Sequence, residues 1–598
     1  MTSPAARTVK MKEGNVTEGG TPHCLWPTSD PPDCETDNPA AAQIPGGIIP
    51  PAGQTPVTRA NIARSTSKKQ SSNRKPRRAM ETMNFAPNSP LQLDAGVIPR
   101  GLQILTTFII LFCLLKLGHG LFWSPLRHIP GSRLSAFCGW DEFYSNIVLN
   151  GQWCKTYPEL HRRYNSPIVR VGPNHVHVND IDIYEKIFCM GTDFCKDHTF
   201  YTCANNDGSI FSIADRAKHR ERRKVLSPRF SKQAAEAGAP GVLRRLQQLV
   251  DYMTDQTRIG NTCDATDLFR ALTINVVGEV LFGDCGDLVE YGPSKPALLD
   301  TVDNLSSLIP WLRFFPYLGT IGSMFPTSVS ERLEPAGVYN FKQKCREHTL
   351  PRMDQPISDV MDRSHASLIE LLIAHSHQAK GKAPTLQYLT EETFTFIDAG
   401  VDTSGRTIAA AIYYIVRNPG VQQKLCAELD EASATDQAGK RVDAKLLGTL
   451  PYLNAVIKET HRMWPALPGP LPRIVPAEGL TVGKHYVPAG SVISSSHYVL
   501  HSNEIVFPQP HEFRPERWLE GHSSEQDRYL NPYSRGSRGC IGINLAQMQL
   551  QVTLGHLFSH YQIQLCEPIP QSLDWYDHFV ATPRSNVIIK IRPRDKGY

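Results

Sequence analysis

The sequence predicts a mostly α protein with a small β-sheet region, and three observations lead to that fold class. Most of the chain after residue 125 carries apolar residues at helical spacing. Two short segments, 168–178 and 480–493, alternate apolar and polar residues as strands do. Turn residues interrupt both segments, at Gly172-Pro173-Asn174 and at Pro488-Ala489-Gly490, and so indicate chain reversals between strands.

The beginning of the chain differs in composition from the rest. Residues 1–95 are rich in Pro, Thr, Ser, Asn and charged residues and contain almost no aromatic residues. Because such a segment cannot bury enough apolar surface to offset chain entropy, we expect it to be disordered. We also expect the residues before Met80 or Met83 to be dispensable for activity, with either methionine as an alternative start.

The next segment is apolar enough to predict a membrane anchor over residues 96–124. Residues 102–115 are almost entirely apolar, and further apolar residues extend the run past Lys116 to nearly the ~20 residues that a helical span requires. Lys116 can snorkel and Trp123 can lie at the membrane interface. A buried helix of a soluble domain is the alternative, and the prolines just after the segment argue against it.

Charge and cysteine usage exclude several classes of protein. The 598 residues carry a net charge of only +5, and the basic cluster at 64–78 lies in the segment expected to be disordered, so a nucleic-acid-binding function is not supported. The fourteen cysteines form no CxxC pair and no metal-spaced cluster, which is typical of reduced thiols facing the cytosol. Neither a G-x-G-x-x-G fingerprint nor a P-loop is present, so electrons for redox chemistry must come from another protein.

A long helix predicted over 391–417 has an unusual centre. Thr390 is its candidate N-cap, and Asn418-Pro419-Gly420 is expected to end it. At the centre, Ala399-Gly400-Val401-Asp402-Thr403 places a glycine, an acid and a β-branched hydroxyl residue where helix propensity and packing favour leucine or alanine. Either this segment is functional, or the helix kinks here with an exposed aspartate.

One cysteine stands in a glycine-rich loop that runs from Tyr533 to Gly542. Arg538 lies two positions before Cys540, and glycines such as Gly536 let the backbone turn tightly and approach a flat cofactor closely. The residues after the loop predict a helix, so Cys540 is expected near a helix N-terminus, which favours a thiolate. The alternative is that Cys540 is a small buried hydrophobic residue, like most intracellular cysteines.

The segment from Tyr533 to Gly542 resembles F-x-x-G-x-R-x-C-x-G, the haem-ligand loop of the cytochrome P-450 superfamily, with Tyr533 in place of the phenylalanine. Over residues 122–595 the chain looks closest to fungal microsomal members of the trichodiene-oxygenase-like type. The resemblance implies a cytochrome P-450 fold, with a single large haem-thiolate monooxygenase domain over residues 125–598 behind the membrane anchor. It further implies that Cys540 is the axial ligand of the haem iron, with Tyr533 and Arg538 next to the cofactor.

Two further segments resemble structural and catalytic motifs of the same superfamily. Glu459 and Arg462 lie three residues apart on a predicted helix, and Arg517 lies in a proline-arginine-tryptophan segment; in the family these three residues form a buried cluster that fixes the ligand loop. Taken alone, the Glu459–Arg462 pair also fits a solvated salt bridge. Asp402 and Thr403 match the oxygen-activating segment, where the family's helix opens above the iron and the pair relays protons.

The resemblance also implies cations for the haem carboxylates. His219 and Arg223 lie four residues apart on a basic predicted helix and resemble W-x-x-x-R, with His219 in place of tryptophan. Arg473 is the expected second cation, and a solvated charged face is the alternative for the basic helix. Substrate contacts are expected from four segments, namely Tyr201–Phe211, Phe394–Gly400, Ala466–Pro470 and Phe579-Val580.

The function implied by the resemblance is monooxygenation, in which one atom of O2 enters a substrate and the other leaves as water. The implied substrate is a bulky apolar terpenoid, meroterpenoid or polyketide of fungal secondary metabolism. The implied cofactor is haem b, with electrons from NADPH through a reductase and cytochrome b5 as a further electron donor. The expected location is the endoplasmic reticulum membrane, as a single-pass protein with a cytosolic catalytic domain. Alternatives are a haem-thiolate isomerase or dehydratase, which often lacks the Asp402-Thr403 pair, and a non-catalytic haem sensor.

Overall fold

The computed structural model describes residues 97–202, 208–283, 285–317, 336–354, 366–380, 384–435 and 443–595. This part of the chain is mostly helical with small sheets, as the sequence predicts. The segment predicted to be disordered, residues 1–95, lies outside the described residues.

Short helices prevail near the beginning of the described chain, and longer helices follow. In chain order the first twelve described helices are α1 Val97–Gly118, α2 Arg133–Cys138, α3 Trp140–Phe143, α4 Tyr157–Tyr164, α5 Ile181–Ile187, α6 His198–Tyr201, α7 Arg216–Leu226, α8 Lys232–Arg258, α9 Ala265–Phe282, α10 Ala297–Phe314, α11 Ala336–Met353 and α12 Leu368–Lys380. The remaining helices are α13 Leu386–Arg417, α14 Pro419–Thr435, α15 Ala444–Leu447, α16 Pro451–Met463, α17 His497–His501, α18 Ser524–Tyr529 and α19 Ile543–His560.

Helix α1 carries the apolar run of the predicted anchor and is followed by a π-helical turn at His119–Trp123. Its apolar side chains, including Phe108 and Phe112, are exposed. None of the helices in the described part of the chain combines the length and the hydropathy that crossing a membrane requires. The transmembrane anchor predicted over residues 96–124 is therefore not confirmed.

The central helix α13 is longer than predicted. It begins at Leu386, because the Thr385 hydroxyl accepts a hydrogen bond from Tyr388 N at 3.2 Å and so caps the first turn. Thr390, the predicted cap, lies inside the helix and donates its hydroxyl to the Leu386 carbonyl. The predicted end at Arg417 is correct, and the helix is continuous through its unusual centre instead of opening there.

Helix α13 lies close against α9 over much of its length. A Cβ at Gly405 would lie 2.7 Å from Arg270 Cα, so glycine allows the two backbones to approach. A Cβ at Gly400 would lie 2.6 Å from Val277 Cγ2. Gly400, which the sequence placed in a catalytic segment, therefore has a packing role on the face of α13 that meets α9.

The strands are short and form small sheets. They are β1 Ile168–Gly172, β2 His175–Val178, β3 Cys195–Lys196, β4 Cys263–Asp264, β5 Arg473–Ile474, β6 Leu480–Val482, β7 His485–Val487, β8 Val492–Ser494, β9 Tyr561–Leu565, β10 Trp575–His578, β11 Val580–Pro583 and β12 Ile588–Pro593. The five-stranded sheet has the order β1-β2-β8-β5-β3, and Ile168 pairs with Val178 in the predicted hairpin. The sheet β4-β12-β9 and the hairpin β10-β11 were not predicted from the sequence.

Two apolar clusters surround the middle of α13. One joins α8, α9, the second half of α13, α16 and α19. The other contains Phe396, Ile397 and Val401 of α13, and Ile541 and Leu545 pack against it. Because Ile541 follows Cys540 directly, this second cluster brings the cysteine loop to the unusual centre of α13.

Candidate functional site

The loop that carries Cys540 is a tight turn just before α19. A 3₁₀ turn at Gly536–Arg538 precedes the cysteine, and Cys540 N donates a hydrogen bond to the Tyr533 carbonyl at 2.9 Å. Gly536 has a φ of 70°, and a Cβ there would lie 2.2 Å from the Phe188 carbonyl oxygen. This position therefore requires glycine, because the loop presses against the end of α5.

The Cys540 side chain is accessible to water-sized molecules, although it lies deep within the protein. A deep but accessible side chain borders an internal cavity. Burial raises the pKa of the Cys540 thiol, while a hydrogen bond from the Gly542 backbone and the charge of Arg223 act weakly in the opposite direction. We expected the helix N-terminus to favour a thiolate at Cys540, and this expectation is wrong when only the groups of the protein are considered. Burial raises the pKa of the thiol by more than the neighbouring groups lower it.

The centre of α13 also borders a cavity. Ala399 is exposed and Thr403, one turn later, is partly exposed, whereas Ile397 and Val401 are fully buried. The Thr403 hydroxyl donates to the Ala399 carbonyl at 2.7 Å. Since Ile397, Val401 and Asp402 around them are buried, Ala399 and Thr403 mark a face of α13 that a bound molecule could touch.

Asp402 lies next to Thr403 in sequence, but its carboxylate belongs to a buried ion-pair cluster. Arg270 Nε on α9 lies 2.7 Å from Asp402 Oδ1, and Arg406 Nη1 lies 3.0 Å from Asp402 Oδ2. The second contact lacks hydrogen-bond geometry, and Asp402 Oδ2 has no hydrogen-bond partner among the described residues. Both arginines also pair with Asp303 of α10. The structure therefore places Asp402 and Thr403 on different sides of the helix.

Four cations converge on the side of the Cys540 loop that faces β3 and β5, and we call them the basic group: Lys196, Arg223, Arg473 and Arg538. Arg223 Nη1 donates to the Gly539 carbonyl at 2.7 Å, directly beside Cys540. Lys196 pairs with Arg473 across the β3–β5 ladder. Among the described residues none of the four makes an ion pair with a carboxylate; they donate to backbone carbonyls and to the Tyr201 hydroxyl.

The electrostatics of the basic group favour an anion. Burial lowers the pKa of Lys196 far below its usual range, and the charges of Arg473, Arg538 and Arg223 lower it further. Burial and Arg473 lower the pKa of Arg538 to about 10. Burial and the neighbouring cations lower the pKa of His219 to about 3, so its ring is neutral. A bound dianion would relieve this mutual repulsion.

Sequence reasoning found three members of the basic group and missed Lys196. The strand that carries Lys196 has only two residues, and no motif distinguishes it from any other Lys in the chain. Its position became visible only through the pairing of β3 with β5. On the basic helix α7, His219 is buried and Arg220 is exposed, so a wholly solvated charged face does not describe this helix.

Glu459, Arg462 and Arg517 lie together in a fully buried cluster. Arg462 Nε and Nη2 each lie 2.9 Å from one oxygen of Glu459, and Arg517 Nε lies 3.0 Å from Glu459 Oε1. Trp518 Nε1 donates to Glu459 Oε2 at 2.9 Å. The alternative of a solvated Glu459–Arg462 pair is excluded, because both side chains are at most 1% exposed.

Two histidines connect this region to the loop that carries Cys540. Tyr533 Oη lies 3.0 Å from His461 Nε2 on α16, and Asn531 N donates to His501 Nε2 at 3.0 Å. Burial lowers the pKa of His461 to about 4 and raises that of Tyr533, so both partners of this contact are neutral. The loop is thereby held by α16 and α17 through hydrogen bonds that precede Cys540 in the chain.

Two of the four predicted substrate-contact segments meet in an aromatic group. The rings of Phe200, Tyr201, Phe211 and Phe579 have centroid distances of 5.0 to 6.0 Å between neighbours. Residues 203–207 of the first segment lie outside the described residues. Phe211 and Phe579 are partly exposed, so the aromatic group can contact a bound apolar molecule.

Comparison with known proteins agrees with the mostly helical fold and with the superfamily that the sequence resembles. The family model for cytochrome P-450 matches residues 144–590. The chain is 57% identical over 509 residues to cytochrome P-450 monooxygenase hkm5 of Aspergillus hancockii. The aligned region covers 84% of this chain and 98% of that relative. It is 31% identical to cytochrome P-450 monooxygenase phqM of Penicillium fellutanum, in an alignment that covers 79% of this chain and 88% of the relative. It is 33% identical to cytochrome P-450 monooxygenase BOT1 of Botryotinia fuckeliana, in an alignment that covers 85% of this chain and 97% of the relative.

Proposed function

Because the chain belongs to the cytochrome P-450 family, we propose that Cys540 supplies the axial thiolate of its haem and that the enzyme oxygenates a bulky, largely apolar secondary metabolite. The enzyme is a monooxygenase whose cofactor is haem iron, and a reductase supplies its electrons, typically from NADPH. The relatives are fungal monooxygenases, which supports a role in fungal secondary metabolism.

The observation that carries the proposal is the unpaired basic group beside Cys540. Haem, when bound, supplies an iron that activates O2 and two carboxylates that need cations. Arg223, Arg473, Arg538 and Lys196 have no acidic partner among the described residues, so they suit those carboxylates. The neutral ring of His219 lies in the same group and suits a hydrogen bond to one of them.

The surroundings of Cys540 also suit its proposed role as the ligand of the haem iron. Its surroundings raise the pKa of the thiol, so the protein alone does not hold a thiolate there. A coordinated metal ion deprotonates a thiol outright. An iron bound at Cys540 would hold its sulfur as a thiolate, and the tight loop would fix the direction of the side chain.

On the opposite side, Thr403 supplies a hydroxyl to the exposed face of α13. Its hydrogen bond to the Ala399 carbonyl orients the hydroxyl oxygen toward the cavity, where it can accept and pass on a proton. Asp402 holds the helix to α9 through Arg270, and we propose that its role in proton supply is indirect. The aromatic group offers the apolar surface that a bulky substrate needs.

The basic group can be tested through haem retention. Lys196→Leu removes a cation that faces the proposed carboxylates, and we expect purified enzyme to hold less haem and to lose it faster to an apomyoglobin acceptor. Lys424→Leu is the matched control, because Lys424 is exposed and pairs with Glu516. Equal haem loss from both variants would contradict the assignment of Lys196.

We also propose that α1 associates the enzyme with the endoplasmic reticulum membrane, with the catalytic domain in the cytosol. Phe108, Phe112 and Trp123 are exposed, and exposed apolar residues in this number are costly in water. Expression from Met83 should leave membrane association and turnover unchanged. Deletion of residues 97–123 should release the protein into the soluble fraction, and continued sedimentation with membranes would contradict the proposal.

A further inference from the structure

Asp398 of α13 takes no part in the contacts around Cys540, Thr403 and the basic group. It directly precedes the exposed Ala399 and lies one turn before Asp402. Its side chain is partly accessible although it lies deep within the protein, whereas the neighbouring Ile397 is fully buried. Asp398 is therefore reached from a space inside the protein, directly beside the exposed Ala399.

Within the described part of the chain the Asp398 carboxyl has neither a hydrogen bond nor an ion pair. The nearest cations, Arg270 and Arg406, are already bound to Asp402 and Asp303. Burial, together with the charge of Asp402, raises the pKa of Asp398 to about 7. An unpaired carboxyl at such a depth costs folding free energy, so stability does not explain its presence.

Another acid on the same helix shows what a satisfied carboxylate looks like here. Glu392 is fully buried, forms an ion pair with Arg222 and accepts hydrogen bonds from Tyr388 Oη and Ile210 N. Asp398 has none of these partners, and an acid one turn away from Asp402 adds like-charge repulsion. No described residue occupies the Asp398 carboxyl, so it is available to a molecule that reaches it.

We propose that Asp398 is a specificity-determining residue that binds a basic nitrogen of the substrate. The substrate class is then an amine with a bulky apolar body, whose cation pairs with Asp398 while the remainder contacts the apolar side chains around Ala399. The inference rests on the proposed function, since only a molecule bound against this face of α13 meets the carboxyl. A desolvated carboxylate gains more from an opposite charge than from a neutral donor, which favours an amine over an alcohol.

A role for Asp398 in proton delivery to Thr403 fits the geometry less well. The two residues are five positions apart, which places their side chains about 140° apart around the helix axis. Asp398 therefore lies at the margin of the exposed face, well separated around the helix axis from the Thr403 hydroxyl. Measurements of ligand binding and of hydrogen peroxide release by the same Asp398 variant distinguish proton delivery from substrate binding.

The test uses matched cationic and neutral probes with the haem-loaded enzyme at pH 8. The probes are trimethyl(2-arylethyl)ammonium ions and their neutral (3,3-dimethylbutyl)arene isosteres, with phenyl, naphthyl and biphenyl as the aryl group. A quaternary ammonium has no lone pair and so cannot bind the iron. Dissociation constants are measured by titration of the haem Soret absorption and by calorimetry. We expect the cation of at least one pair to bind about ten-fold or more tightly than its isostere.

In Asp398→Asn this preference should disappear, while the affinity for the neutral isostere stays within about two-fold. Glu391→Gln, which removes a carboxylate at the outer part of the same helix, should keep the preference. Equal binding of cation and isostere by the unaltered enzyme, a preference that survives Asp398→Asn, or no binding by any pair overturns the inference.

Two further readouts on the same samples separate the possible failures. If the reduced carbon-monoxide complex shows the thiolate signature but no cation preference exists, the inference about Asp398 alone is wrong. If the signature is absent from the unaltered enzyme, the proposed function fails and the inference fails with it. If Asp398→Asn keeps the cation preference and instead diverts electrons to hydrogen peroxide, Asp398 is a proton donor and the inference is overturned.

Discussion

Arg270 Nε lies 2.7 Å from Asp402 Oδ1, so the carboxylate of Asp402 is held by the neighbouring helix α9 and does not face the same side of α13 as the Thr403 hydroxyl. Arg270 is almost completely buried, and its guanidinium also binds Asp267 and Asp303. The pairing joins α9, α10 and α13 behind the cavity. In the proposed function, Thr403 therefore takes part in proton transfer, whereas Asp402 takes part in helix packing.

Removal of Arg270 should destabilise the enzyme. Arg270→Met leaves the buried carboxylates of Asp402 and Asp303 with only one of their two shared arginines, Arg406, which should lower the free energy of unfolding by about 3–5 kcal/mol. The double variant Arg270→Met/Asp402→Leu should lose less than the sum of the two single losses, because the residues interact directly. Chemical denaturation of the three variants measures their free energies of unfolding. If the loss in the double variant equals the sum of the two single losses, Arg270 and Asp402 do not stabilise each other.

Removal of the Thr403 hydroxyl should uncouple electron consumption from product formation. Thr403→Ala should keep haem and bind substrate, yet release most electrons as hydrogen peroxide, because proton delivery in the cavity fails. Thr407→Ala is the control, since the Thr407 hydroxyl donates to the Thr403 carbonyl one turn later and is buried. The ratio of peroxide to NADPH oxidised is the measurement, and full coupling in Thr403→Ala would refute this role.

The stability of the enzyme should depend on pH through Asp398. Its folded pKa is about 7, above the ordinary 3.8, so its contribution to stability is complete below pH 3.8 and is lost as the pH rises through 7. The charged groups nearest to it are Asp402 and Arg406 on the same helix and Arg270 on α9. Asp398→Asn does not titrate and should raise the melting temperature at pH 8 but not at pH 4. An equal effect at both values would mean that Asp398 titrates normally.

Tyr533 stands where the family's motif has phenylalanine, and its hydroxyl contacts His461 Nε2 at 3.0 Å. His461 Nδ1 already lacks a partner among the described residues. Tyr533→Phe should therefore lower the free energy of unfolding by about 1–3 kcal/mol, since a second buried ring nitrogen loses its partner. Haem content should stay the same. A stability equal to that of the unaltered enzyme would show that the contact is dispensable.

The sequence predicted those features that depend on local pattern. The mostly helical fold, the hairpin at Gly172-Pro173-Asn174 and the end of the central helix at Arg417 follow from periodicity and turn residues, and the structure contains all three. The start of that helix was misplaced by five residues, because Thr385 and Thr390 are equally plausible caps until the chain is folded. The motif around Cys540 also identified the family, since its spacing is specific.

Features that depend on distant partners were not visible in the sequence. Lys196 joins the basic group only through the pairing of two two-residue strands, and Asp402 faces Arg270, which lies 132 residues earlier. The pKa of Cys540 was expected to fall at a helix N-terminus, but burial raises it. Burial is a property of the whole fold, so local sequence could not reveal it.

The proposed ligand is tested most directly by the reduced carbon-monoxide spectrum of Cys540→Ser. Serine is a poor ligand for haem iron, so this variant should lose the thiolate-specific Soret shift. Cys138→Ser, which alters an exposed cysteine, should keep the shift. Circular dichroism of both variants establishes that the chain is folded. A folded Cys540→Ser enzyme with an unchanged carbon-monoxide spectrum would contradict Cys540 as the ligand and with it the central claim of the proposed site.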